Sequence, residues 1–143
     1  MEIIVKPRSY ASMVLAFAGL LLIGMGLYFM FLRPPLLPED LRYMRTSLAE
    51  IEASLPGLLV WLRRVFWVMG GYMFATGLLT VYVALTVFRA RERGVVLVVA
   101  LAGLTSIGWM AAVNFLIDSE FKWIILGFGL LWPLALALYR WKK

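Results

Sequence analysis

Apolar residues in this chain fall into four long runs, separated by two short polar breaks and one long one. The runs cover residues 11–32, 65–88, 95–117 and 123–139. The first has 22 residues; as a helix it would reach ~33 Å, enough for a hydrocarbon core of ~30 Å. It is too long for the apolar part of a signal peptide and ends in Arg33-Pro34-Pro35, so it reads as a retained first span. The fourth run is the shortest and contains Pro133, which predicts a kink or a shallow tilt. The period-two alternation of a membrane barrel is not seen. The breaks at 89–94 (RARERG) and 118–122 (DSEFK) are short. Short links make neighbouring helices antiparallel. The pattern predicts an all-α integral membrane protein, an up-down-up-down four-helix bundle forming a single membrane domain over 1–143.

The long polar break is residues 33–64, RPPLLPEDLRYMRTSLAEIEASLPGLLVWLRR. Within it Leu41, Met44, Leu48, Ile51 and Leu55 recur at helical spacing and would form one apolar stripe. This predicts a single amphipathic extracytoplasmic helix over about 38–54, between spans 1 and 2. Pro38 suits its first position, Glu39 and Asp40 suit its positive end, and Pro56 stops it. The stripe is too short for a coiled-coil seam. It either lies on the outer leaflet or caps the mouth of the bundle, and the excess of acids favours the mouth. On that expectation Leu48→Asp would release the segment to protease.

Composition agrees with the runs. Apolar residues make up 64% and charged residues 15%, against roughly half and a quarter in soluble domains. The net charge of +6 is scattered at the ends of apolar runs, which excludes a nucleic-acid surface. There is no Cys and no His. That removes thiol chemistry, His-ligated haem, the usual zinc sites and any nucleophile paired with His. No cofactor or metal is implied.

Basic residues set the expected orientation. Lys6, Arg8, Arg89, Arg91, Arg93, Arg140, Lys142 and Lys143 share one side; Arg33, Arg42, Arg45, Arg63, Arg64 and Lys122 share the other. RARERG sets three Arg directly between two spans. Both termini and residues 89–94 are therefore expected in the cytoplasm, with the chain in a bacterial inner (plasma) membrane.

No Asp, Glu, Lys, Arg or His falls inside a run. An ion path or proton relay would be marked by one. Small residues suit close helix contact, and the packing candidates are Gly71, Ala75, Thr76, Thr80, Ala84, Gly108 and Ala112. Asn114 is the polar candidate within a span, expected to hydrogen-bond across helices or reach the interface. Trp109 and Trp132 lie deep and read as packing residues. Asp118 and Ser119 read as caps of the fourth helix. In hydropathy and length the chain is similar to several bacterial families of small four-span inner-membrane proteins, including the DoxX-like group. That likeness carries no functional residue with it.

Three functions are compatible with this pattern. The first is a non-enzymatic accessory or structural protein working through membrane lipid, a membrane-protein partner or a second copy of itself. The second is a transporter or channel for a neutral or apolar small molecule, using Thr76, Thr80, Thr105, Ser106 and Asn114. The third is a lipid-modifying enzyme drawing acid–base groups from Glu39, Asp40, Glu50, Glu52, Arg63 and Arg64.

Overall fold

A computed structural model describes residues 9–141; Lys6, Arg8, Lys142 and Lys143 lie outside the described residues. The elements are α1 (Tyr10–Phe31), α2 (Pro38–Met44), α3 (Leu48–Ser54), α4 (Leu58–Leu85), α5 (Val87–Ala90), α6 (Val95–Gly103), a π-helical turn (Leu104–Gly108), α7 (Trp109–Leu116), α8 (Lys122–Gly129) and α9 (Leu131–Trp141). They join into four helices long and apolar enough to cross a membrane: Tyr10–Phe31, Leu58–Ala90, Val95–Leu116 and Lys122–Trp141. The protein is an all-helical, multi-pass membrane protein.

The second span starts at Leu58, seven residues before the apolar run, because Leu58, Leu59 and Leu62 are themselves apolar and partly buried. Arg63 and Arg64 therefore ride on the helix, exposed, and Arg64 lies 4.3 Å over the ring of Trp67. The fourth span breaks at Leu130, between α8 and α9. Pro133 follows three residues later; it offers no N–H to the Gly129 carbonyl and its ring crowds that turn.

The four spans pack as two antiparallel hairpins. In the first, α1 and α4 touch along their length through glycine. A Cβ on Gly26 would lie 2.7 Å from the Gly70 carbonyl oxygen, and one on Gly77 2.6 Å from the Gly19 carbonyl oxygen. Gly19 and Gly26 are seven apart, as are Gly70 and Gly77, so the antiparallel pairs 19/77 and 26/70 fall in register. With no Cβ between them the two backbones come into direct contact, the packing that substitutes for hydrophobic drive in lipid. The second hairpin sets α6 and α7 against α8 and α9. Its closest point is the buried Trp132 ring, seated on Gly103 where a Cβ would collide with it.

The hairpins meet at only one end, which carries Tyr10, the 86–94 connection and Trp141. There α1 packs on α9, Leu15, Ala18, Phe88 and Ala135 are almost fully buried, and Phe88 stacks at 4.5 Å on Tyr139. Arg91 donates to the Tyr139 carbonyl at 2.8 Å. At the other end, which carries the 32–57 and 117–121 connections, α4 and α7 scarcely touch.

The single helix expected over 38–54 is two helices. Arg45 is left-handed (φ 57°) and ends α2. Ser47 then starts α3 with a capping box: Glu50 N–H donates to Ser47 Oγ at 3.3 Å, and Ser47 N–H to Glu50 Oε2 at 2.8 Å. A Ser-x-x-Glu sequence satisfies free amides on both sides, and so competes with helix continuation. The stripe is split as a result. Ile51 is buried, Leu41 is half-buried, and Met44, Leu48 and Leu55 are exposed.

Two predictions follow from these contacts. Gly70→Ala should destabilise the protein by about 1–3 kcal/mol through overpacking, whereas Gly71→Ala, with nothing within 4 Å, should leave the melting temperature in detergent unchanged. Equal effects from the two variants would contradict the seam. For α3, the Ser47 N–H, with help from the Thr46 and Ser47 hydroxyls, holds the Glu50 carboxyl below the usual glutamate range. A lowered pKa stabilises the folded state above the ordinary Glu value, and that stability is lost as pH falls through the folded value. Amide protection in α3 should be full at neutral pH and decline in acid, and Glu50→Gln should abolish the dependence; protection that is flat with pH would refute the cap.

Candidate functional site

Where the hairpins diverge, a cavity of about 820 Å³ opens between them, within the ~300–1,000 Å³ of small-molecule sites. Met25 and Phe29 of α1 and Phe66 and Met73 of α4 form one wall. Met110 and Val113 of α7 and Ile125 and Phe128 of α8 form the other. Flexible thioethers and aromatic rings of this kind adapt to irregular apolar ligands. Tyr72 of α4 (74% exposed) and Trp109 of α7 (70% exposed), one from each hairpin, line the cavity and are open to the surface. The π-helical turn runs along the floor and brings Thr105 and Ser106 to the lining.

The end of the cavity is polar and is built by the first connection. Pro38 starts α2, and the Asp40 carboxylate accepts the Leu37 N–H at 2.8 Å. Arg33 reaches back across this end. Its guanidinium stacks 3.7 Å over the Phe66 ring and pairs with Asp40 at 3.3 Å. It also donates to the Pro34 carbonyl at 2.9 Å. Charge, aromatic face and backbone together fix Arg33 between the end of α1, α2 and α4.

α2 is then tied to the opposite hairpin. Arg42 donates to the Asp118 carbonyl at 2.7 Å. The Ser119 hydroxyl donates to Glu39 Oε1 at 3.0 Å. Glu39 is 2% exposed and lines the cavity. A buried carboxylate is costly unless paired and fully hydrogen-bonded. Here Ser119, a neutral group, is its one hydrogen-bond partner among the described residues.

Ser119 and Asp118 do not cap the fourth helix as their sequence position suggests. Ser119 Oγ accepts the Phe121 N–H at 3.1 Å, ahead of the helix, and is otherwise turned toward Glu39. Asp118, left-handed at φ 53°, pairs with Lys122. The Lys122 ammonium holds the Asp118 carboxyl below the usual aspartate range. The loop is committed to docking α2, which leaves the start of α8 without a side-chain cap.

The other sequence candidates fall into separate places. Thr80 and Ala84 are buried in the bundle. Gly71 meets nothing within 4 Å, and its neighbour Gly70 makes the contact instead, because the α1–α4 seam runs one residue round the helix. Ala75 and Ala112 are exposed for the same reason of facing. A Cβ on Gly108 would lie 3.2 Å from the Gly103 carbonyl within the π-helical turn. Thr76 and Asn114 line the cavity from opposite hairpins. Asn114 does not bond across helices: its Nδ2 donates to the Met110 carbonyl at 2.9 Å. Of the deep Trp pair, Trp132 is buried and Trp109 borders the cavity. Glu39, Arg33 and Ser119 form the polar end of the cavity, and none of them reads as such from local sequence.

Comparison with protein-family models, with curated proteins and with solved structures finds no match to this chain.

The placement of the stripe changes what a lid mutation should do. Ile51→Asp should detach α3 and speed limited proteolysis between residues 45 and 57 several-fold, since Ile51 is buried. Leu48→Asp, at a position 44% exposed, should leave the cleavage rate near that of the parent. The reverse order would contradict the packing described.

Proposed function

We propose that this chain is a small bacterial inner-membrane protein that binds one amphiphilic, lipid-like molecule without chemical conversion. The apolar chain would lie between the hairpins and the polar head beneath α2. The observation that carries this is the cavity itself: a long apolar chamber closed at one end by Arg33, Glu39, Asp40 and Ser119. Its side-chain hydroxyls add little polarity. Thr76 and Thr105 donate to the carbonyls of Tyr72 and Leu101, each at 2.8 Å, and Ser106 donates to Ala102. Their hydrogens are used within their own helices, so the chamber offers an apolar ligand few competing donors.

In this reading the termini and residues 89–94 face the cytoplasm; the sequence RARERG, with Arg89, Arg91 and Arg93 directly between two spans, supports it. α2 and α3 then cover the extracytoplasmic face, and the ligand would enter from the outer leaflet through the gap between Tyr72 and Trp109.

Carriage of such a molecule across the membrane is the second reading, favoured by the same gap. It requires a further conformation, since Leu15, Ala18, Ile107 and Ala135 are tightly buried at and toward the opposite end. A lipid-modifying enzyme draws support from one contact, the Ser119 hydroxyl donating to a carboxylate, which is half of a nucleophile–base arrangement.

The test is saturable binding of 1-dodecanol by the purified protein in a neutral detergent. One molecule per chain is expected. Met73→Trp and Met110→Trp, on opposite walls, should each weaken binding at least about tenfold while thermal stability stays within a few degrees. No saturable binding, or affinity untouched by both fillings, would remove the proposal.

A further inference from the structure

Hydrogen-bond bookkeeping at the closed end of the cavity limits the head group it can take. Arg33 is the one cation lining the cavity; Nη1 donates to the carbonyls of Pro34 and Pro35, and Nη2 donates to Asp40, which pairs its charge. What the closed end lacks is a positive charge to balance Glu39. The Glu39 carboxylate is almost fully buried and holds a single neutral donor, Ser119. Asn114 Nδ2 gives one of its two hydrogens to the Met110 carbonyl, and its Oδ1 is a further acceptor. The Ser106 hydroxyl gives its hydrogen to Ala102 and keeps only lone pairs. The other donors that line the cavity, the Tyr28 and Tyr72 hydroxyls and the Trp109 indole N–H, belong to exposed residues and carry no charge.

Arg33 and Asp40 neutralise one another, so Glu39 leaves the closed end with an unbalanced negative charge whenever it is ionised. An anionic head would meet two carboxylates and no spare cation. A neutral hydroxyl would supply one hydrogen. A primary ammonium supplies three, together with the missing charge. We infer that the cavity is a site for a primary-amine amphiphile, its ammonium held by Glu39 and its chain by the methionine-rich walls. This rests on the amphiphile-binding reading above and specifies its ligand class. The chemistry is common to a free long-chain amine and to the ammonium head of an aminophospholipid.

Binding of dodecylammonium, 1-dodecanol and dodecanoate to the full chain in neutral detergent separates the possibilities. Dodecylammonium should bind at least about tenfold more tightly than 1-dodecanol, and dodecanoate should bind most weakly. Glu39→Gln keeps the side-chain shape and an acceptor for Ser119; it should abolish the preference for the amine, with 1-dodecanol still bound saturably and a melting temperature within a few degrees of the parent showing that the fold is intact. Ser119→Ala should retain the amine preference. Equal affinities for the three probes, or an amine preference that survives Glu39→Gln, would overturn the inference and leave the binding reading standing. No saturable binding of any probe would overturn both. Native mass spectrometry from nanodiscs of equal phosphatidylethanolamine and phosphatidylcholine distinguishes the source. Retention of the ethanolamine lipid assigns the site to a lipid head, and amine binding without that retention assigns it to a free amine.

Discussion

The structure depends on how closely α1 and α4 approach. In lipid, two apolar helices gain little from hiding hydrocarbon, and their association rests on contact between surfaces. Gly19, Gly26, Gly70 and Gly77 remove four side chains from one line and let backbone meet backbone. This commits α1 and α4 to each other over most of their length. The second hairpin can then join them only where α1 has another face to offer, around Leu15 and Ala18, against α9. Elsewhere the hairpins stand apart, and the cavity is the space this leaves.

A cavity of that size would be expected to collapse or to be filled, since lost contacts cost about 24 cal/mol per Å³ in a soluble core. Two features hold this one open. The α1–α4 seam fixes one wall. The 33–44 segment ties that wall to the 118–119 turn through Arg42 and Glu39, bonds that span 76 and 80 residues of sequence. α2 therefore acts as a strut between hairpins as well as a cover. The same bond holds a carboxylate at the closed end of a chamber whose other charged lining residues, Arg33 and Asp40, pair with each other. A chain with no ionisable residue in any apolar run thus acquires a buried one from a connection.

The four spans were legible because bilayer thickness imposes run length directly on sequence. The 33–64 segment was less so. Its five-residue stripe obeys helical spacing, yet Ser47 and Glu50 spell a capping box that starts a new helix, and a local capping pattern of that kind outweighs the longer periodicity. The seam was partly legible too: paired glycines seven apart on two neighbouring spans give a register, whereas a four-residue spacing selects Gly71 and misses Gly70. Glu39 illustrates what local reading cannot reach. Beside Pro38 and Asp40 it has the signature of a helix N-terminus, and its role comes from a serine in another loop. Searching apolar runs for charge passes over it by construction.

The most direct measurement is nuclear Overhauser contact between a ligand chain and the methionine methyls. With methyl-labelled methionine in perdeuterated detergent and one equivalent of protonated dodecylammonium, chain protons should give cross-peaks to Met25, Met73 and Met110, which line both walls. Met13, at the opposite end of α1 and outside the cavity lining, should give none. Cross-peaks among Met25, Met73 and Met110 without any to the ligand chain would show hairpins closed on each other, and would contradict the account at its centre.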